Sequence, residues 1–141
     1  MIEQKIIRAF PPNYPVLKRA FNLDQAAGVI FSYGDRIFIP NQRTPLPPQL
    51  VAHEAVHGER QLSHPDGVDG WWQWYVERAQ FRLDEEVLAH RAEYAWHRLN
   101  EGRGGRERAL THIALRLSGP LYNRMIDFAK AKELIEERVA A

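Results

Sequence analysis

The sequence predicts an α+β fold in which a small, β-rich N-terminal part is followed by a mostly helical part. Two short runs of β-branched and aromatic residues lie within the first forty positions, and from position 48 onward apolar residues recur with helical spacing. Strands first and helices afterwards is an order typical of α+β proteins. The chain has 141 residues, of which 45% are hydrophobic and 26% charged, so we expect a single domain over residues 1–141.

The N-terminal part is expected to form a short antiparallel sheet beside one small helix. Three strands are predicted, over residues 3–10, 28–32 and 36–39. Tyr33-Gly34-Asp35 indicates a hairpin turn between the last two of them. The helix begins near Asn13, which can cap it, and has Pro15 in its first turn, where proline is tolerated. Pro40 ends the last strand or places it at a sheet edge.

The rest of the chain is predicted to be helical. Helices are expected over residues 48–61, 70–81, 83–100, 106–117 and 127–139. The first follows a proline-rich segment that suits a helix start, and Ser118-Gly119-Pro120 separates the last two. In the helix over residues 83–100, the apolar side formed by Leu88, Ala92, Ala95 and Leu99 is expected to face the core.

Composition excludes several functional classes. The chain has no cysteine, which removes disulfide frameworks, cysteine nucleophiles and cysteine-ligated metals. A net charge of +1 gives no broad field for nucleic acid or anionic lipid, so neither partner is expected. No apolar run approaches the roughly 18 residues that would span a bilayer, and no signal peptide is recognisable. These observations favour a cytoplasmic protein.

His53-Glu54-Ala55-Val56-His57 is an HExxH motif on the first of the long helices. Residues four apart lie one turn above each other, so the imidazoles of His53 and His57 can reach one ion. Glu54 lies beside them, where its carboxylate can take a proton from an attacking water. Zinc is the expected metal, because it binds two histidine nitrogens readily and favours four-coordination with one open position.

A third protein ligand is needed, and the sequence offers two kinds. The extended metzincin motif would require histidine at position 63, where the chain has Ser63, and His64 is displaced from that position by one. A glutamate from a later helix is the alternative.

Glu86 is the preferred glutamate. It begins a Glu-x-x-Ala pattern in which the small Ala89 would let its helix pack closely against the motif helix. Glu85 points about 100° away on the same helix, whereas Glu93 lies two turns further on and shares the face of Glu86.

The stretch from Leu50 to Tyr94, with HEAVHGERQ and WWQWYVERAQFRLDEEVLAHRAEY, resembles the gluzincin metallopeptidases in their smallest single-domain form, some of which are phage-related. The resemblance implies that His53, His57 and Glu86 bind zinc and that Glu54 is the general base. It also implies that residues 36–40 form an edge strand that binds extended peptide by strand addition. The chain departs from the family at His90, where tyrosine or asparagine often follows the alanine.

The expected function is therefore a zinc-dependent peptidase acting on a peptide or protein. The alternative is a catalytically silent zinc-binding module of peptidase ancestry, for example in a phage particle or a toxin system. Retention of Glu54 argues against that alternative, because a purely structural site needs only ligands. The basic turn at residues 103–108 could touch phosphate but is expected to be solvated.

Four further features carry expectations. Glu93 and His97, beyond Glu86 on the same helix, are expected to lie on a solvated polar face rather than to support the site. The aromatic cluster of Trp71, Trp72, Trp74 and Tyr75 is expected to be mainly core. Tyr122 could stabilise an oxyanion near the metal, but its position cannot be derived from the sequence.

Overall fold

The computed structural model of the chain describes residues 2–21, 23, 29–40 and 45–137. It confirms the α+β class, with a three-stranded sheet near the N-terminus and a predominantly helical remainder. The strands are β1 (Lys5–Ile7), β2 (Phe31–Tyr33) and β3 (Arg36–Phe38). The helices are α1 (Tyr14–Phe21), α2 (Pro48–Ser63), α3 (Gly67–Glu77), α4 (Ala79–Asn100), α5 (Arg103–Leu117) and α6 (Phe128–Glu137), with a 3₁₀ turn at Pro120–Tyr122.

The sheet differs from the expected one in its strand order, which is β1-β3-β2. The antiparallel hairpin of β2 and β3 is present, with Gly34 at a φ of 61° in its turn. However, β1 pairs with β3 in parallel, so the sheet is mixed rather than wholly antiparallel. Because β3 is the central strand, the prediction that residues 36–40 form a peptide-binding edge was wrong.

The motif helix α2 lies directly on the hairpin, and two side-chain contacts hold it there. Gln61 accepts a hydrogen bond from the Gly34 amide at 2.7 Å and donates to the Ser32 carbonyl at 3.1 Å. The Ser32 hydroxyl donates to the Glu54 carbonyl at 2.8 Å. A Cβ atom at Gly58 would stand 2.4 Å from the Gly34 carbonyl oxygen, so only glycine fits where helix and turn meet.

The largest apolar cluster lies between α4, α5 and α6 and includes Tyr122 of the 3₁₀ turn. It contains Leu83, Val87, Tyr94, Leu110, Ile113, Ala114, Leu117, Tyr122, Ala131 and Ile135. The side of α4 that was expected to face the core is not buried, since Leu88 and Ala92 are half-buried, Ala95 is exposed and Leu99 is 86% exposed. Among the described residues, the helices include none with the length and apolar character needed to cross a membrane.

Candidate metal centre

Two helices bring the predicted ligands together. His53 and His57 lie on successive turns of α2, and Glu86 faces them from α4. One carboxylate oxygen, Glu86 Oε1, is 3.1 Å from His53 Nε2 and 3.1 Å from His57 Nε2. All three side chains are buried. The structure therefore brings together the three predicted metal ligands.

The donor set fits a zinc ion. Ligand atoms about 2.1 Å from one zinc ion at tetrahedral angles stand about 3.4 Å apart, close to the separations between Glu86 Oε1 and the two imidazole nitrogens. Two neutral imidazoles and one carboxylate also leave a fourth position open, as in catalytic zinc sites. The same groups could hold other divalent metals that accept nitrogen and oxygen ligands.

Glu54 lies beside the ligands without being one of them. Its Oε2 atom is 3.6 Å from His53 Nε2, and the residue is 6% exposed. Burial raises the pKa of Glu54, although the nearby imidazoles of His53 and His57 oppose the shift. A carboxylate with a raised pKa is a better proton acceptor, so the position suits a general base.

Glu93 contacts the ring nitrogen of His53 that faces away from Glu86. Its Oε1 atom is 2.9 Å from His53 Nδ1 and 3.1 Å from His90 Nδ1, and the residue is only 8% exposed. The prediction of a solvated Glu93 was therefore wrong. Donation from His53 Nδ1 to Glu93 leaves the Nε2 lone pair available to a metal, which is the usual role of a carboxylate behind a ligating histidine. His97, nearer the end of α4, pairs instead with Glu101 at 2.5 Å.

In the metal-free chain the proton of this cluster is held by His53. Burial alone would lower the pKa of His53, but hydrogen bonds to Glu86 and Glu93 raise it to about 10. Burial and the nearby His53 charge lower the pKa of His90. The protonated His53 ring therefore bridges the carboxylates of Glu86 and Glu93. Its contact with Glu86 lies where a metal ion would bind between Glu86 and the imidazoles.

Tyr75 fixes the second oxygen of Glu86. Its hydroxyl donates to Glu86 Oε2 at 2.6 Å, which leaves Oε1 directed at the two imidazoles. Arg82 on α4 connects α3 to the 3₁₀ turn, because its guanidinium donates to the carbonyls of Tyr75 and Leu121 at 2.5 and 3.0 Å. Neither role was predicted from the sequence. A tyrosine eleven residues before the ligand gives no periodic signal, because the two lie on different helices.

The alternative third ligands lie elsewhere. Glu85 instead pairs with Arg60, one turn beyond His57 on α2. Both of its oxygens are 2.7 Å from Arg60 Nε, and Oε1 also accepts from Trp71 Nε1 at 2.7 Å. His64 follows the end of α2, and its Nδ1 accepts from the Asp66 amide at 3.1 Å. Neither side chain is near enough to join the cluster of three.

A cleft of about 300 Å³ opens beside the ligands. Apolar residues on one side include Val29, Ile30 and Leu50, and aromatic side chains from α3 form another side. Trp71 is buried, as expected of a core residue, yet together with Trp72 it also lines this cleft. Tyr122, which the sequence could not place, is buried at the cleft wall.

No known protein family, curated protein or solved structure matches this chain. The functional argument therefore depends on the geometry of the site.

A second set of possible ligand atoms comes from His53, His90 and Glu93, which also lie within 4.8 Å of one another. This set shares His53 with the first. Hydrogen bonds account for its contacts, since one Glu93 oxygen accepts from both imidazoles. We therefore interpret His90 and Glu93 as support for a single metal centre.

Proposed function

We propose that the chain is a zinc-dependent peptidase of the gluzincin type, with zinc held by His53, His57 and Glu86. The observation that carries the proposal is the convergence of both imidazole Nε2 atoms on one oxygen of Glu86, 3.1 Å from each. The adjacent Glu54 and the cleft of about 300 Å³ support a catalytic site rather than a closed structural one.

The chemistry divides between the metal and the chain. Zinc, when bound, polarises the peptide carbonyl and makes water acidic near neutral pH. Glu54 takes a proton from the water whose oxygen bonds to the carbonyl carbon. Glu54 then delivers that proton to the leaving nitrogen as the C–N bond breaks, giving a carboxylic acid and an amine. Tyr75 and Glu93 keep Glu86 and His53 in position during these transfers.

The partner of this site is a peptide or protein, and the cysteine-free composition agrees with action in the cytoplasm. Bound peptide does not add to β2 at Ser32, because the carbonyl of that residue already accepts from Gln61 and Trp72 at 3.1 and 3.0 Å. Val29 and Ile30, just before β2, line the cleft instead.

Glu54→Gln tests the proposal. The variant should keep stoichiometric zinc and the fold but lose peptide hydrolysis by about 10²-fold or more, because an amide cannot accept the proton. Zinc is measured by metal analysis, and hydrolysis is measured on a peptide library against wild type. Glu77→Gln is the matched control, since Glu77 is exposed at the end of α3.

Cleavage by Glu54→Gln at the wild-type rate would refute the mechanism. Failure of zinc-loaded wild type to cleave any library member would instead favour a catalytically silent zinc-binding module.

A further inference from the structure

We propose that Arg116 is the substrate-anchoring residue of the cleft and binds a carboxylate of the peptide. This inference rests on the proposed peptidase function, because it treats the cleft as the place where substrate lies. Arg116 is in the last turn of α5 and lines the cleft that contains His53, Glu54 and Glu86.

The guanidinium of Arg116 is available to a ligand. Among the described residues that line the cleft, Arg116 is the only arginine or lysine. The residue is exposed, and within the part of the chain that the structure describes its side chain makes no ion pair. Arg82, which lies nearby, is buried and already donates to backbone carbonyls.

Arg116 also lies within electrostatic reach of Tyr122, a residue that Glu86 affects as well. Burial raises the pKa of the Tyr122 hydroxyl, the charge of Glu86 raises it further, and the charge of Arg116 opposes both. Glu86, Tyr122 and Arg116 all line the cleft, so Tyr122 lies close enough to both charges to be affected by each. Arg116 and the predicted metal ligands line one cleft of about 300 Å³, so a peptide carboxylate at Arg116 would lie close to the bond being cleaved.

The rest of the cleft indicates what accompanies that carboxylate. Its carboxylates, Glu54, Glu86 and Glu93, belong to the metal centre, and its other wall carries Val29, Ile30 and Leu50. The chemistry that fits is a short apolar peptide segment with one carboxylate. That group is either the free C-terminus or an aspartate or glutamate side chain, and arginine binds both through two parallel hydrogen bonds.

Binding to the zinc-loaded Glu54→Gln protein tests the assignment without requiring hydrolysis. The probes are acetyl-Ala-Leu-Leu with a free C-terminus or a carboxamide, and acetyl-Ala-Leu-Glu-amide against acetyl-Ala-Leu-Gln-amide. Fluorescence of Trp71 and Trp72, which line the cleft, reports binding. We expect one carboxylate probe to bind about tenfold or more tightly than its neutral partner.

Arg116→Gln should abolish that preference, and Arg116→Lys should retain part of it because the positive charge remains. Arg108→Gln is the matched control, since Arg108 is exposed on the same helix outside this cleft. Whichever probe pair shows the difference identifies the source of the carboxylate as C-terminal or side chain.

The proposal is overturned if the carboxylate preference survives in Arg116→Gln, because direct ligation of zinc would then explain it. It is also overturned if neither pair differs, or if no probe binds below about 10 mM. A preference that depends on Arg116, together with a wild type that cleaves nothing, would retain the carboxylate site while the peptidase proposal fails.

Discussion

Glu93→Ala should weaken zinc binding although Glu93 is not a ligand. The substitution removes the acceptor of His53 Nδ1 at 2.9 Å and of His90 Nδ1 at 3.1 Å. Only the first bond bears on a ligand, and a hydrogen bond to a charged group contributes about 1.5–3 kcal/mol. At about 1.4 kcal/mol for each tenfold change, zinc affinity should fall by about 10- to 100-fold.

Glu93→Gln should lose less, because the amide oxygen can still accept from one imidazole. Asp84→Ala is the control, since Asp84 lies on the same helix but is exposed, and its side chain accepts a hydrogen bond from Gln80 at 2.8 Å. Zinc affinity is measured by competition with a chelating dye at fixed pH. Wild-type affinity in Glu93→Ala, with binding lost in His53→Ala, would refute the role assigned to Glu93.

Three further outcomes are expected. Glu86→Ala should abolish stoichiometric zinc while Glu85→Ala retains it, as measured by metal analysis; the reverse result would exclude Glu86 as the third ligand. Because the pKa of His53 is raised in the metal-free fold, its stabilisation is complete below pH 6.5 and disappears as pH rises toward about 10. Because the pKa values of Glu86 and Glu93 are lowered, their stabilisation is present above pH 4.5 and disappears as pH falls. These three groups favour maximal metal-free stability in denaturant between about pH 4.5 and 6.5, against the opposite pH dependence that the raised pKa of Glu54 and the lowered pKa of His90 contribute, and a maximum near pH 9 would contradict this sign. Gly58→Ala should destabilise the fold by about 1–3 kcal/mol because its Cβ would meet the hairpin carbonyl at 2.4 Å, and an unchanged denaturation midpoint would show that the contact can relax.

The convergence of His53, His57 and Glu86 could be predicted from the sequence because helical spacing is local. His53 and His57 are four residues apart, and the phase of α4 together with Ala89 selected Glu86 over Glu85. The structure places Ala89 fully buried, as that argument requires. Local periodicity was sufficient to predict this convergence because α2 and α4 each present one face to the other.

The burial of Glu93 and the central position of β3 could not be predicted because each depends on contacts between distant segments. The polar face beyond Glu86 resembled a solvated one, but α4 is covered by α2 on that side, and Glu93 is buried against His53. The i, i+4, i+7 spacing of Glu86, His90 and Glu93 was the available signal. The central position of β3 arises from parallel pairing with β1, and roughly 30 residues separate the two strands.

The position of Glu86 opposite α2 has a consequence for folding. A metal held by both helices would act as a covalent cross-link does, closing a chain segment of about 30 residues that contains all of α3. For a closed loop of that length, the chain-entropy relation gives about 3.7 kcal/mol of stabilisation through the unfolded state. The chain has no cysteine and so cannot form a disulfide; a bound zinc ion would be a cross-link that reductants do not break. The amount of folded protein in the cell would then follow the supply of the metal.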